Sequence, residues 1–338
     1  MTAAITSAYE AARRRAAWID RSDRGRILVS GPDRASFLQG LLTNDVAALK
    51  PGQGCYAAYL TPQGRMIADM HAYELGEAML LTVPGELKDP LLERLDQSLF
   101  SEDVQLRDMT GAYSQVAIVG PEAAALVAGL VTGAESGVLA ALREHGNVSA
   151  RFEGDPAIVT RIDDAGEPGF DLFVGPAKVE PLVAAVAAAG AVPLDAADAE
   201  AIRIEAGIPL FHRDMDEQTI PLEAGLESRA ISFSKGCYVG QEVVIRVLHR
   251  GHGRVARKLT GLVLEGDAAP AAGAPVRAAD RDIGHVTSAA MSPALGRPIA
   301  LAYVHRDFLA PGTAVTVDGV HGEVRELPLV RRSSVSAS

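Results

Sequence analysis

Short apolar runs recur along the first 195 residues and fall into two halves with the same order. The run that begins at Ile27 leads to the turn Gly31-Pro32, and the run that begins at Val116 leads to the turn Gly120-Pro121. An apolar helical pattern follows each turn. A second match lies further along both halves, Pro90-Leu91-Leu92 with Pro181-Leu182-Val183. The pattern predicts a duplicated unit.

Each half is predicted to contain a strand, a helix, a hairpin, a second helix and a last strand. The first hairpin spans residues 56–81 and turns at Pro62-Gln63-Gly64. The second spans residues 157–174, alternates apolar and polar positions, and turns at Asp164-Ala165-Gly166. This β-α-β-β-α-β order is the ferredoxin-like arrangement, so we expect two ferredoxin-like repeats.

From Val255 onward the pattern changes to short strands separated by Gly and Pro, which is typical of a small antiparallel β-barrel. The predicted class is therefore α+β. We expect the first repeat with an N-terminal helix at residues 1–110, and the second repeat with a connecting segment at 111–250. A C-terminal β-barrel at 251–330 and a disordered tail at 331–338 complete the prediction.

Composition narrows the class of function. Of the 338 residues, 48% are apolar and 22% charged, as in a soluble globular protein. The net charge of -11 argues against a duplex nucleic-acid binder, which needs a basic face. No apolar stretch reaches the roughly 20 residues of a membrane span. The two cysteines form neither a zinc spacing nor a disulfide framework, so we expect a cytoplasmic protein, taken to be a monomer.

The most distinctive segment places a cysteine between two glycines. Glycine on both sides leaves the backbone bare, which would let a ligand approach the thiol of Cys237. Lys235 and a helix expected to begin near Val239 would favour the thiolate. Most free cysteines pack as small hydrophobes, and we prefer a functional thiol because burial would not require the lysine and the glycines. The segment is Lys235-Gly236-Cys237-Tyr238-Val239-Gly240-Gln241-Glu242.

Two carboxylates are further candidates. Glu205 follows an amphipathic helical stretch and precedes Ala206-Gly207, so its carboxylate could accept two parallel hydrogen bonds from a planar, amidine-like donor. Asp69 lies among apolar residues on the return strand of the first hairpin, and His71 shares its face. Asp69 is either a solvent-facing strand residue or a pocket carboxylate, and the pattern leaves both open.

The histidines give little support for a metal site. His249, His252 and His285 have no cysteine or carboxylate at ligand spacing. The basic, glycine-rich loop at residues 251–254 is better suited to binding an anion.

The chain resembles the aminomethyltransferase (glycine-cleavage T-protein) superfamily over nearly its whole length, and within it the YgfZ-type folate-binding proteins that assist iron-sulfur cluster assembly and repair. The segment 235–242 is the mark of the YgfZ type, because transferases of the superfamily typically lack its cysteine. The motifs similar to the superfamily as a whole are Asp20-Arg21-Ser22, Leu42-Thr43-Asn44-Asp45-Val46, Arg203-Ile204-Glu205-Ala206-Gly207, Pro221-Leu222-Glu223-Ala224-Gly225 and Gly296-Arg297-Pro298.

The resemblance implies three domains around a central cavity that holds tetrahydrofolate or a derivative. Glu205 would bind the 2-amino-4-oxo edge of the pterin. Arg246, Arg250 or the loop 251–254 would meet the glutamate tail. Beside Cys237, Lys235 and Tyr238 are the remaining candidate cofactor-binding residues of the segment 235–242.

The resulting functional prediction is a tetrahydrofolate-binding accessory protein, rather than an enzyme, with Cys237 as its working thiol. Its partners would be iron-sulfur assembly proteins or client enzymes. The alternative is a folate-dependent aminomethyltransferase that acts on a lipoyl carrier protein, with Asp69 as the catalytic carboxylate. T-proteins usually have two successive acids where this chain has Ala68-Asp69, which favours the accessory role. An interaction module without ligand is a third hypothesis.

Overall fold

The structure, a computed structural model, describes residues 6–250 and 255–332, without the side chains of His249 and Arg250. Its strands form two open sheets and one closed barrel. The predicted α+β class with a C-terminal barrel is confirmed. The helices are α1 (Ser7–Arg14), α2 (Arg34–Leu41), α3 (Lys88–Gln97), α4 (Ala123–Leu130), α5 (Ser136–Ala141), α6 (Val179–Ala188), α7 (Ala196–Ala206), α8 (Glu227–Ala230) and α9 (Gln241–Arg250). The strands are β1 (Ala17–Asp20), β2 (Gly25–Ser30), β3 (Gly54–Leu60), β4 (Met66–Glu74), β5 (Ala78–Val83), β6 (Gln105–Asp108), β7 (Ser114–Val119), β8 (Asn147–Phe152), β9 (Asp155–Ile162), β10 (Gly169–Val174), β11 (Val192–Pro193), β12 (Arg257–Leu264), β13 (Pro275–Ala278), β14 (Arg281–Ser292), β15 (Arg297–His305), β16 (Ala314–Val317) and β17 (Val320–Arg325).

The first unit is an antiparallel sheet with the strand order β3-β4-β5-β2-β6. It contains one strand more than the β-α-β-β-α-β pattern predicts. The predicted hairpin at 56–81 is in fact three strands, because the chain reverses again at Gly76, whose φ of 104° suits glycine. The predicted turn at residues 62–64 does join β3 to β4.

The second unit has the strand order β11-β1-β7-β10-β9-β8. Its extra strand, β8, precedes the predicted hairpin of β9 and β10. The N-terminal elements also belong here: β1 pairs with β7, where Ala17 faces Val119, and α1 buries Tyr9, Ala11 and Ala12. Apolar contacts distant in sequence thus attach α1 and β1, which lie within the residues 1–110 expected to form the first repeat, to the second sheet.

The third unit is a closed antiparallel barrel in the order β12-β15-β14-β13-β16-β17, so it leaves no free sheet edge.

The connecting segment 207–240, which lies in sequence between the second sheet and the barrel, packs on the first unit rather than the second. Phe211, Leu222, Leu226 and Tyr238 lie in the same apolar cluster as the β3 and β4 side chains. Within the described ranges, no helix is long and apolar enough to cross a membrane.

Candidate functional site

A cavity of about 280 Å³ lies where the two sheet units meet the connecting segment. The first unit contributes Tyr56, Asp69 and His71, the second contributes Asp164, and the connecting segment contributes Arg229. The register of β3 and β4 explains the first group, because side chains two positions apart share one face of a strand. Asp69 and His71 therefore share a face, and Tyr56 pairs directly with His71. The cavity is of a size for a small ligand or one ring system, at the lower end of ligand pockets.

Asp69 is a pocket carboxylate, which decides between the two alternatives that the sequence left open. Its Oδ2 accepts a hydrogen bond of 2.6 Å from the Tyr56 hydroxyl. Its Oδ1 is buried and has no hydrogen-bond partner among the described residues. Burial raises the pKa of Asp69, although the Tyr56 hydrogen bond and the charge of Arg24 act in the opposite direction. A carboxyl group with these properties is suited to carry a proton during a reaction.

Aromatic rings line the wall beside Asp69. The His71 ring centroid is 5.1 Å from that of Tyr56 and 4.9 Å from that of His145, which comes from the second unit. The Arg229 guanidinium lies 5.6 Å from the Tyr56 ring centroid. Burial lowers the pKa of His71 well below its usual value, so its imidazole is neutral at physiological pH. Once Asp69 is a candidate, the register of β3 and β4 is enough to predict Tyr56 as a second site residue. Arg229 and His145 are distant in sequence, and only the folded chain brings them near Tyr56 and His71.

The carboxylates of Asp164 and Asp171 in the second unit share one cation, Arg21. Its guanidinium pairs with Asp164 at 2.6 Å and with Asp171 at 3.3 Å. The positive charge of Arg21 holds the pKa of Asp164 well below its usual value, against the effect of burial. Asp164 therefore stays ionised, whereas burial favours the protonated form of Asp69.

Glu205 does not line this cavity. Its side chain is fully buried, and its carboxylate accepts hydrogen bonds from Tyr9 at 2.7 Å, from Arg13 and from Ser292. The planar donor expected for Glu205 is thus the guanidinium of the chain's own Arg13, which also pairs with the buried Glu167. Because these donors come from α1 and from β14, Glu205 joins the second unit to the barrel instead of facing the candidate ligand space.

Lys235 is likewise occupied by the protein itself. Its ammonium group donates to three backbone carbonyl oxygens, those of Gln39 at 2.7 Å, Leu42 at 2.5 Å and Asn44 at 3.0 Å. Burial lowers the pKa of Lys235 to about 8. The Tyr238 ring is buried beneath it, with its centroid 5.0 Å from the ammonium nitrogen. Both residues therefore anchor the segment to the first unit rather than line the cavity.

Cys237 is exposed, just before α9, and does not line the cavity. Steric constraints require glycine at only one of the two positions that flank Cys237. Gly240 has a φ of 83°, and a Cβ there would lie 2.5 Å from the Thr61 carbonyl oxygen. The same test at Gly236 meets open space. Cys55, the other thiol, is buried, and burial raises its pKa to about 12. Asp69, Glu205 and Cys237 thus occupy three separate places.

Of the cations expected at a glutamate tail, Arg246 is the one whose side chain the structure describes, and it is not brought to the cavity. Arg246 is exposed on α9 and is not a lining residue. The side chain of Arg250 and the whole loop 251–254, which includes His252, lie outside the described residues. The cavity arginines that sequence reasoning missed are Arg24, Arg213 and Arg229. No local motif distinguishes them from surface arginines.

Comparison with known proteins assigns nearly the whole chain. Residues 1–235 match the family model of the GCVT N-terminal domain, and residues 257–333 match that of the glycine cleavage T-protein C-terminal barrel domain. The chain is 35% identical to the aminomethyltransferase of Streptomyces coelicolor, over 96% of this chain and 89% of that protein. It is also 35% identical to that of Rubrobacter xylanophilus, over 98% of this chain and 85% of that protein.

Among solved structures, the chain is similar to the glycine cleavage system aminomethyltransferase T from Bartonella henselae. The TM-score is 0.85, and the match covers 97% of this chain and 90% of that one. The sequence identity is 24%, so this likeness concerns the fold.

Proposed function

Because the chain belongs to the aminomethyltransferase (glycine-cleavage T-protein) superfamily, we propose that it is a folate-dependent aminomethyltransferase acting on a lipoyl carrier protein. The sequence motifs alone favour the YgfZ-type accessory role, whereas the relatives favour the transferase. The relatives named above carry the transferase name. Within the chain, the observation that carries the proposal is the buried carboxylate of Asp69, which lines a ligand-sized cavity and whose Oδ1 has no hydrogen-bond partner among the described residues.

The reaction needs a group that moves protons at a nitrogen. The aminomethyl carbon on the carrier sulfur would form bonds to two nitrogens of tetrahydrofolate, and its bonds to the amine nitrogen and to sulfur would break. The folate nitrogens lose protons, while the departing ammonia and thiol take protons up. Asp69 would accept such a proton, and the hydrogen bond from the Tyr56 hydroxyl would stabilise its ionised form. The neutral His71 ring and Tyr56 would flank the pterin without adding charge.

The test is formation of methylenetetrahydrofolate from an aminomethylated lipoyl carrier by the purified protein. Asp69→Asn keeps the size of the side chain and an oxygen that accepts from Tyr56, and it should lower kcat by about 10²- to 10⁴-fold.

The stability of this variant provides the control. Since the folded state raises the pKa of Asp69, ionisation of Asp69 costs stability as the pH rises. The asparagine variant should therefore have an equal or higher Tm at pH 7. Full turnover by the variant would refute the role of Asp69.

One observation favours a second candidate, the folate-binding accessory protein for iron-sulfur enzymes: the thiol of Cys237 is exposed and available to another protein. In cells, Cys237→Ala should then lower the activity of iron-sulfur enzymes while the transferase activity of the purified variant stays unchanged. Ser234→Ala, a neighbouring exposed position, is the control. Unchanged iron-sulfur enzyme activity in the Cys237→Ala strain would exclude this thiol function.

A further inference from the structure

One guanidinium that lines the cavity with Asp69 has no partner among the described residues. Arg24 precedes β2 and is half-buried. Within residues 6–250 and 255–332, its buried Nε has no hydrogen-bond acceptor, and no carboxylate forms an ion pair with its guanidinium. A buried donor in this condition costs free energy until something accepts its hydrogen bond.

The backbone that carries Arg24 is held tightly. A Cβ added to Gly85 would lie 2.1 Å from the Asp23 carbonyl oxygen, and one added to Gly25 would lie 2.6 Å from the Cβ of Lys88. The segment on both sides of Arg24 is thus in close contact with the chain at the start of α3. Arg24 is therefore presented from a rigid support, as a ligand-binding side chain should be.

The other cavity arginines already have partners. Arg229 pairs with Glu144 at 3.6 Å, and Arg213 pairs with Glu200 at 3.0 Å. Among the described residues that line the cavity, Arg24 is the arginine that lacks a carboxylate.

Arg24 and Asp69 form an unmatched pair of opposite charge. In the part of the chain that the structure describes, the Oδ1 of Asp69 is a buried acceptor without a donor, and the Nε of Arg24 is a buried donor without an acceptor. Arg24 is near enough for its charge to oppose the rise in the Asp69 pKa, yet the two side chains do not form an ion pair. A ligand that satisfies both would bring a hydrogen-bond donor, such as an N–H group, to Asp69 and an acceptor to Arg24, and a carboxylate is the acceptor that also matches the charge of Arg24.

We propose that Arg24 binds a carboxylate of the ligand whose nitrogen lies at Asp69. A guanidinium offers parallel N–H donors in a fork that matches the two oxygens of a carboxylate. Two sources share this chemistry: the glutamyl part of a folate, and a free amino acid that supplies both amine and carboxylate. The folate source rests on the proposed function, whereas the carboxylate contact rests on Arg24 itself.

Calorimetric titration of the full chain and of Arg24→Gln separates the two sources. The probes are tetrahydrofolate, 6-methyltetrahydropterin, which lacks the glutamyl part, glycine and glycinamide. If the glutamyl carboxylate binds Arg24, the variant should bind tetrahydrofolate about 10- to 100-fold more weakly and 6-methyltetrahydropterin equally well. If an amino acid carboxylate binds there, the variant should lose affinity for glycine but not for glycinamide.

Two further variants serve as controls. Arg24→Lys keeps the charge but loses the fork, so it should recover part of the affinity. Arg107→Gln changes the net charge equally on an exposed strand of the same unit and should bind every probe as the parent does.

The inference is overturned if Arg24→Gln, folded by its Tm, binds all carboxylate probes as tightly as the parent. It is also overturned if the parent binds none of the four. Failure of the parent to bind tetrahydrofolate and 6-methyltetrahydropterin, with Arg24-dependent binding of glycine, would refute the proposed function and support the carboxylate site.

Discussion

The hydrogen bond from Tyr56 to Asp69 makes a specific prediction for the pH dependence of catalysis. Its donor and acceptor oxygens are 2.6 Å apart within the cavity. The bond stabilises the ionised carboxylate and therefore opposes the effect of burial on the pKa of Asp69. Tyr56→Phe removes the hydroxyl but keeps the ring that contacts His71 and Arg229. The substitution thus isolates one hydrogen bond from the packing around it.

The size of the effect follows from the charge on the acceptor. A hydrogen bond to a charged group contributes about 1.5–3 kcal/mol, and about 1.4 kcal/mol corresponds to a factor of ten. Without the Tyr56 hydroxyl, the ionised fraction of Asp69 at a given acidic pH should fall by about 10- to 100-fold. If ionised Asp69 is the base, the acid limb of the kcat/KM profile moves to higher pH, and the plateau above it changes less.

The assay is methylenetetrahydrofolate formation by the parent and the variant across the acid range. Tyr59→Phe is the matched control, because Tyr59 lies on the same strand and is not a lining residue of the cavity. The Tyr59 variant should keep the acid limb of the parent. An unchanged acid limb in Tyr56→Phe, at unchanged Tm, would refute the assignment of that limb to Asp69.

Two other predictions concern stability. Arg13→Met leaves the buried carboxylates of Glu167 and Glu205 without the cation that they share, so it should lower the free energy of unfolding by about 3–5 kcal/mol. Urea denaturation measures this loss, and a loss below about 1 kcal/mol would contradict the arrangement. Gly240→Ala should lower the free energy of unfolding by about 1–2 kcal/mol because of the left-handed backbone, and the contact of the new Cβ with a carbonyl oxygen should add to this loss. Gly236→Ala places its Cβ in open space and should change the free energy of unfolding by less than about 0.5 kcal/mol. Equal Tm values for the two alanine variants would exclude this reasoning.

Local patterns predicted much of the fold. The turns at 62–64 and 164–166 and the strand series after Val255 depend on residues close in sequence, and the structure has them where expected. The placement of α1 and β1 in the second unit, and of the segment 207–240 against the first, was not predictable in this way. These contacts join surfaces distant in sequence, and an apolar face does not specify which of two similar sheets will cover it.

The sequence by itself determined the α+β class, the duplicated unit, the barrel and the candidate residues Asp69, Glu205 and Cys237. Only the tertiary structure decided which of them faces ligand space. Glu205 was expected to hold a planar donor, and the folded chain supplies Arg13 for it. Among the described residues, the Oδ1 of Asp69 and the Nε of Arg24, which line the same cavity, have no hydrogen-bond partner. The capacity of a side chain for hydrogen bonds is a property of its residue type, but whether that capacity remains free for a ligand depends on which distant residues pack around it.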